Sequence, residues 1–118
     1  MSCVHATGTG WRWSQALRIR SKFWGKSMEF HPEGSVHLTL EEHGEEYKWN
    51  KVTSCIQNLL ERERWVDLYG ERVITCKQSG LTDRIRFIKA SYWSNNRHEL
   101  VGNRQHRGCA TEHVWEIE

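Results

Sequence analysis

The sequence has little that points to a membrane span, a leader or a catalytic centre. No run approaches the roughly 18 apolar residues that a spanning helix needs, and the N-terminus lacks the basic-then-apolar build of a secretory leader. A cytosolic chain is expected. Its four cysteines, Cys3, Cys55, Cys76 and Cys109, contain no CxxC pair, so reduced thiols are expected rather than a disulfide framework. The same scatter argues against zinc, which draws paired ligands two to four residues apart; the seven histidines read as surface residues, and no metal is expected. There is no GxSxG elbow, Walker loop, HExxH or dinucleotide glycine fingerprint, and Gly8-Thr9-Gly10 and Gly25-Lys26-Ser27 are too short for phosphate loops. No catalytic residue, enzyme activity or cofactor is expected. Charge of one sign is also missing. Seventeen basic against 15 acidic residues leave +2, too balanced to announce a nucleic-acid partner.

What is there is globular. With 118 residues, 37% hydrophobic and 27% charged, the chain is long enough for one domain and one core. Seven tryptophans are a heavy load of amphipathic plates that suit cores, pockets and interfaces alike.

The periodicity is that of strands. Ser27 to Phe30 and Ser35 to Leu40 alternate apolar and polar residues, with Val36, Leu38 and Leu40 on one row. His31-Pro32-Glu33-Gly34 between them contains the only proline and predicts the turn of a hairpin. A short strand over Met1 to Thr7 is expected. From Ala16, Leu17, Ile19 and Phe23 take one face and Arg18, Arg20 and Lys22 the other, which predicts a half-buried strand with a basic outer row. That row reads as a solvated face or as a surface for anionic lipid head groups.

Tyr47 to Lys51 and Val52 to Leu60 are expected as further strands after an acidic turn, Glu41 to Glu46. Trp65 to Tyr69 follows, then a break at Gly70, then Arg72 to Cys76 and a long strand over Arg84 to Trp93. Ser94-Asn95-Asn96 is turn chemistry, His98 to Val101 starts another strand, and Gly102 to Thr111 reads as loop before a weak strand at His113 to Ile117. The sum is a mainly β chain, an antiparallel meander. An open meander leaves two edges unpaired, so the chain is expected to be part of a larger sheet.

Five segments carry a specific resemblance. They are Ser2 to Ala6, Lys22 to Ser27, Trp49 to Ile56, Arg64 to Gly70 and Lys89 to Glu99, and together they resemble the lipid-binding domain of the oxysterol-binding protein-related family. The match runs from Ser2 to about Gly102. Residues 1–102 are therefore expected to be a partial lipid-binding domain and residues 103–118 a divergent tail. The resemblance implies part of a large, incomplete antiparallel β-barrel around a lipid tunnel, moving lipid between cytosolic membrane faces. Its implied cargo is sterol or phosphatidylserine, exchanged with phosphatidylinositol 4-phosphate, with peripheral membrane contact. The family's His-His-Pro-Pro signature would stand directly before Ser2, so a fragment or shortened product is expected. Lys26 and Ser27 match the family's Gly-Lys-Ser turn and are the expected lipid-binding residues, against an ordinary hairpin turn; Trp24, Trp49, Trp65 and Trp93 are expected to pack the core. The alternative is a β-rich interaction module that meets protein or nucleic acid through an aromatic and basic face.

Overall fold

A computed structural model describes residues 1–90, 98–106 and 109–116. Its nine strands are β1 (Ser2–Gly8), β2 (Trp11–Trp24), β3 (Ser27–Leu40), β4 (Glu45–Trp49), β5 (Thr53–Gln57), β6 (Trp65–Cys76), β7 (Leu81–Phe87), β8 (Glu99–His106) and β9 (Cys109–Glu116). All pairings are antiparallel within one sheet, in the order β1-β2-β3-β4-β6-β7-β8-β9. A single turn of 3-10 helix at Glu41–His43 joins β3 to β4.

The expected meander is present, with one modification. β5 also lies between β3 and β6, so β4 and β5 act as one interrupted middle strand. β4 serves Val36 to Leu40 of β3, and β5 serves Met28 to Phe30. The gap at Asn50 to Val52 is spanned by a side chain. Asn50 Nδ2 donates to the Glu71 carbonyl at 2.8 Å, and the Val73 N–H donates to Asn50 Oδ1 at 2.8 Å. The amide thereby replaces two ladder bonds that β6 would otherwise lack.

That gap corrects the expected hairpin. His31 to Gly34 is not a turn: β3 runs unbroken from Ser27 to Leu40 and pairs with β2 throughout, Pro32 opposite Ile19 and Gly34 opposite Leu17. Proline is tolerated because His31 to Ser35 lies on the stretch that neither β4 nor β5 pairs, which behaves as a local edge. Gly34 has φ +122° and its α-carbon sits against the Ala16 carbonyl, where only glycine fits. The true turn is Gly25-Lys26, with positive φ at its first residue, as two-residue hairpins with a leading glycine require.

Three other expectations are corrected. Gly70 does not end a strand; it lies inside β6 at φ +119°, beside Val52 at the same gap. The long strand at Arg84 to Trp93 begins earlier and stops at Phe87, with residues 91–97 outside the described residues. Gly102 to Thr111 is not loop: β8 and β9 pair across it, Glu99 with Glu116 through to His106 with Cys109.

Burial is sparse for a chain of this length. Among the described residues the fully buried apolar side chains are Leu17, Val36, Val52, Cys55 and Cys76, with Asp67 buried beside them. The radius of gyration is 16.8 Å, against about 13.5 Å for a compact domain of this length. Among the described residues there is one sheet and no second layer, which accounts for both, since a side chain on such a sheet is screened only by its neighbours.

Candidate functional site

The β2–β3 hairpin and the strands beyond it carry two contrasting faces. Directly opposed residues share a face, so the register lines up Phe23, Met28, Ile56 and Val66 in one row and Ser21, Phe30, Ser54 and Leu68 in the next. Ile19 opposite Pro32 extends the same side. These rows stay open: Ile19 and Phe23 are 61% and 63% exposed, and Val66 and Leu68 are exposed too. The half-buried strand expected over Ala16 to Trp24 thus has its apolar side covered at Leu17 and open from Ile19 to Phe23.

The opposite face carries a polar network over β3, β5 and β6, while Lys22 and Trp24 at the end of β2 stay exposed. Lys22, Glu29, Cys55 and Asp67 form one row, and Thr53 and Tyr69 lie in the adjacent one with His31. His31 Nε2 lies 2.9 Å from Glu29 Oε2, and its Nδ1 lies 3.3 Å from the Thr53 hydroxyl. The buried Tyr69 hydroxyl faces the Glu29 carboxylate without closing to full hydrogen-bond geometry. Together with His31 and Lys89 it holds that carboxyl below its ordinary range, against the opposing effect of desolvation. Burial pushes the Tyr69 phenol and the Cys55 thiol up. Asp67 accepts the Ala90 N–H at 3.2 Å, and Lys89 lies over the Tyr69 ring. A thiol kept protonated by burial is a poor nucleophile.

Lys26 and Ser27 come together at the hairpin tip, Lys26 tied to the loop after β5 and Ser27 to the end of β5 itself. Lys26 Nζ meets Glu61 Oε1 at 2.7 Å, Ser27 Oγ donates to Gln57 Oε1 at 2.7 Å, and the Leu59 N–H donates to the Lys26 carbonyl at 2.8 Å. Glu61 raises the Lys26 pKa, chiefly by hydrogen bonding. Asn58 takes a left-handed φ of 55° to turn this loop, and its carbonyl accepts the Glu61 N–H. The sequence offered Lys26 and Ser27 by pattern but gave no sign of Gln57 and Glu61, which are 30 and 35 positions away.

The tryptophans divide. Trp49 and Trp65 are half-buried, Trp24 is 54% exposed, and Trp93 lies outside the described residues. Core packing therefore fails for Trp24, because β1 stops opposite Leu17 and leaves the end of β2 bare. Cys3, Cys55 and Cys76 are free thiols. Among the described residues no three His, Cys, Asp or Glu side chains converge as a metal site, and no helix is long and apolar enough to cross a membrane.

The geometry defines a class by its fold: an antiparallel β-sheet that leaves apolar side chains open over one end of one face. The oxysterol-binding protein family model matches residues 1–118, and this chain belongs to that family. It is 46% identical over 103 residues to human oxysterol-binding protein-related protein 3 and 44% identical to human oxysterol-binding protein-related protein 7. Each match takes in 86% of this chain and 12% of the relative, so the chain spans about an eighth of their length. Among solved structures it is similar to the Osh3 ORD of Saccharomyces cerevisiae in complex with PI(4)P, with TM-score 0.74 and 28% identity, over 85% of this chain and 27% of the other. The Osh1 ORD domain in complex with ergosterol shares the fold, with TM-score 0.75 and 23% identity over 89% and 25% of the two chains.

Proposed function

We propose that this chain supplies one wall of an intracellular lipid-binding domain that takes up a sterol or phosphatidylserine and exchanges it for phosphatidylinositol 4-phosphate at cytosolic membrane faces. The observation that carries the reading is the open apolar face of Ile19, Phe23, Val66 and Leu68. Covering such a face with acyl or sterol carbon gains about 25 cal/mol per Å², and among the described residues no second layer supplies side chains to do it. The sterol and PI(4)P complexes of the Osh1 and Osh3 domains support the ligand class. On this reading Lys26 and Ser27 give the polar contact at the tip, the lysine by charge and the serine by hydrogen bonding. On this reading residues 1–102 form the partial lipid-binding wall and residues 103–118 a divergent tail, with β8 running across the boundary.

The test grafts residues 1–118 into the corresponding stretch of human oxysterol-binding protein-related protein 3 and measures extraction of labelled sterol and phosphatidylinositol 4-phosphate from liposomes. The graft is expected to extract lipid. Ile19→Asp with Leu68→Asp is expected to abolish extraction, and Lys26→Ala with Ser27→Ala to weaken it. A folded graft that extracts no lipid would overturn the reading; full extraction by the Lys26, Ser27 variant would remove those two residues from the site.

A further inference from the structure

We infer that the β2–β3 hairpin tip, together with the loop Asn58 to Arg64, is a docking surface for an anionic membrane, with Phe23, Trp24 and Leu60 entering the interface. The inference rests on the lipid-binding reading for the kind of partner and adds the place of contact.

Phe23 and Trp24 are consecutive in β2, so they project from opposite faces of the hairpin, and both are more than half exposed. A strand that only lines a ligand cavity, or only packs on a core, needs apolar residues on one face. Here both faces are apolar at the same level, two residues from the turn. Leu60, at 84% exposure, joins them, because the Leu59 N–H bond to the Lys26 carbonyl and the Lys26–Glu61 ion pair fix its neighbours to the turn. The tip therefore carries exposed apolar side chains on both faces.

The charges around it are complementary to anionic head groups. Lys22, Lys26, Arg62 and Arg64 surround the tip against Glu61 and Glu63, and Glu61 is occupied by Lys26. Among the described residues Lys22, Arg62 and Arg64 have no carboxylate partner, while Arg20, further along, is matched by Glu33 at 3.0 Å. Lys22 Nζ lies 4.2 Å from the centre of the Trp24 ring. A tryptophan with a cation over it suits the boundary between hydrocarbon and head groups, where the ring is half solvated and the ammonium reaches phosphate. A partner protein with a greasy socket would gain from Phe23, Trp24 and Leu60 but would leave the unpaired cations unused.

The experiment floats the whole 118-residue chain with vesicles of phosphatidylcholine alone and of phosphatidylcholine with phosphatidylserine, at low and high salt. Binding is expected to the anionic vesicles and to fall with salt. Trp24→Ser with Leu60→Ser should lower it about tenfold or more, and Lys22→Ala or Arg62→Ala about fivefold each. Val4→Ser, on β1 away from the tip, should leave it unchanged, with far-ultraviolet circular dichroism checking that every variant is folded. Quenching of tryptophan fluorescence by brominated lipid should drop in Trp24→Phe although that variant still binds. Equal binding to neutral vesicles, unaltered binding by the tip variants, or a dimer that the tip variants dissolve while no vesicle binds would each overturn the inference. A chain or graft that takes up a fluorescent sterol in solution but ignores vesicles loses the docking surface and keeps the lipid-binding reading. Adhesion without uptake does the reverse.

Discussion

Val73 donates its backbone N–H to the side chain of Asn50, 23 residues earlier, at 2.8 Å. The same amide donates to the Glu71 carbonyl, so one asparagine pairs both ways with β6 as a backbone residue would. Asn50→Ala leaves the Val73 N–H without its partner at a half-buried position. With each neutral hydrogen bond contributing about 1 kcal/mol, the variant is expected to lose about 2 kcal/mol, read as a lower urea midpoint with unchanged slope. Asn50→Asp keeps the acceptor for Val73 and loses the donor to Glu71, so it should fall between the two. Identical midpoints for all three would mean that the gap is held by something else.

Gly34 is where β3 bends beside that gap. Its φ of +122° is strained for any residue with a Cβ, and an added methyl would collide with the Ala16 carbonyl, a backbone atom that cannot rotate away. Gly34→Ala is expected to cost about 3 kcal/mol or more and to broaden amide resonances along Leu17 and its neighbours. A neutral Gly34→Ala would show that β2 and β3 are free to separate there.

The strands were legible where alternation was local. Val36 and Leu38 face inward around the exposed His37, as their spacing implied, and the antiparallel order follows from short connections. Pro32, Gly34 and Gly70 misled because each breaks a strand by its intrinsic preference, yet all three border one interruption between β4 and β5 that only the paired sheet reveals. Gly102 to Thr111 shows no apolar periodicity, yet β8 and β9 pair across it, because backbone bonds form a ladder whatever the side chains. At the tip, Lys26 and Ser27 were legible from the turn. Glu61 and Leu60 were not, since a charged loop gives no sign of which turn it will clasp.

Glu29 gives the sheet an acid-side titration. Its carboxyl is held below the usual glutamate value of about 4.3, first by the facing Tyr69 hydroxyl and then by His31 and Lys89. A depressed folded pKa contributes stability that is present above the unfolded value and lost as pH falls through the folded one. Stability should therefore be level between pH 5 and 7 as far as this group is concerned and should decline below about pH 4. Glu29→Gln is expected to flatten that decline while lowering stability at neutral pH. Tyr69→Phe should move the decline to higher pH, because the carboxyl then titrates nearer its ordinary value. Thermal melts across pH 3 to 7 check both, and parallel curves for the parent and Glu29→Gln would exclude Glu29 as the titrating group.

Lys26 cannot hold both Glu61 and a lipid phosphate with full charge, so the ion pair at 2.7 Å competes with the proposed contact. Both partners are exposed, so the pair is weak and screened by salt. Glu61→Gln should therefore strengthen extraction of phosphatidylinositol 4-phosphate by the grafted domain about twofold, more at low than at high salt, and leave sterol extraction unchanged. Lys26→Ala should weaken phosphoinositide extraction and make the Glu61→Gln substitution silent, since the carboxylate then has nothing to release. If Lys26 serves only to clasp the loop, the pattern differs: Glu61→Gln lowers thermal stability, and phosphoinositide extraction stays the same or falls. The two roles thus separate on the sign of one measurement, because removing a competitor raises affinity and removing a clasp does not.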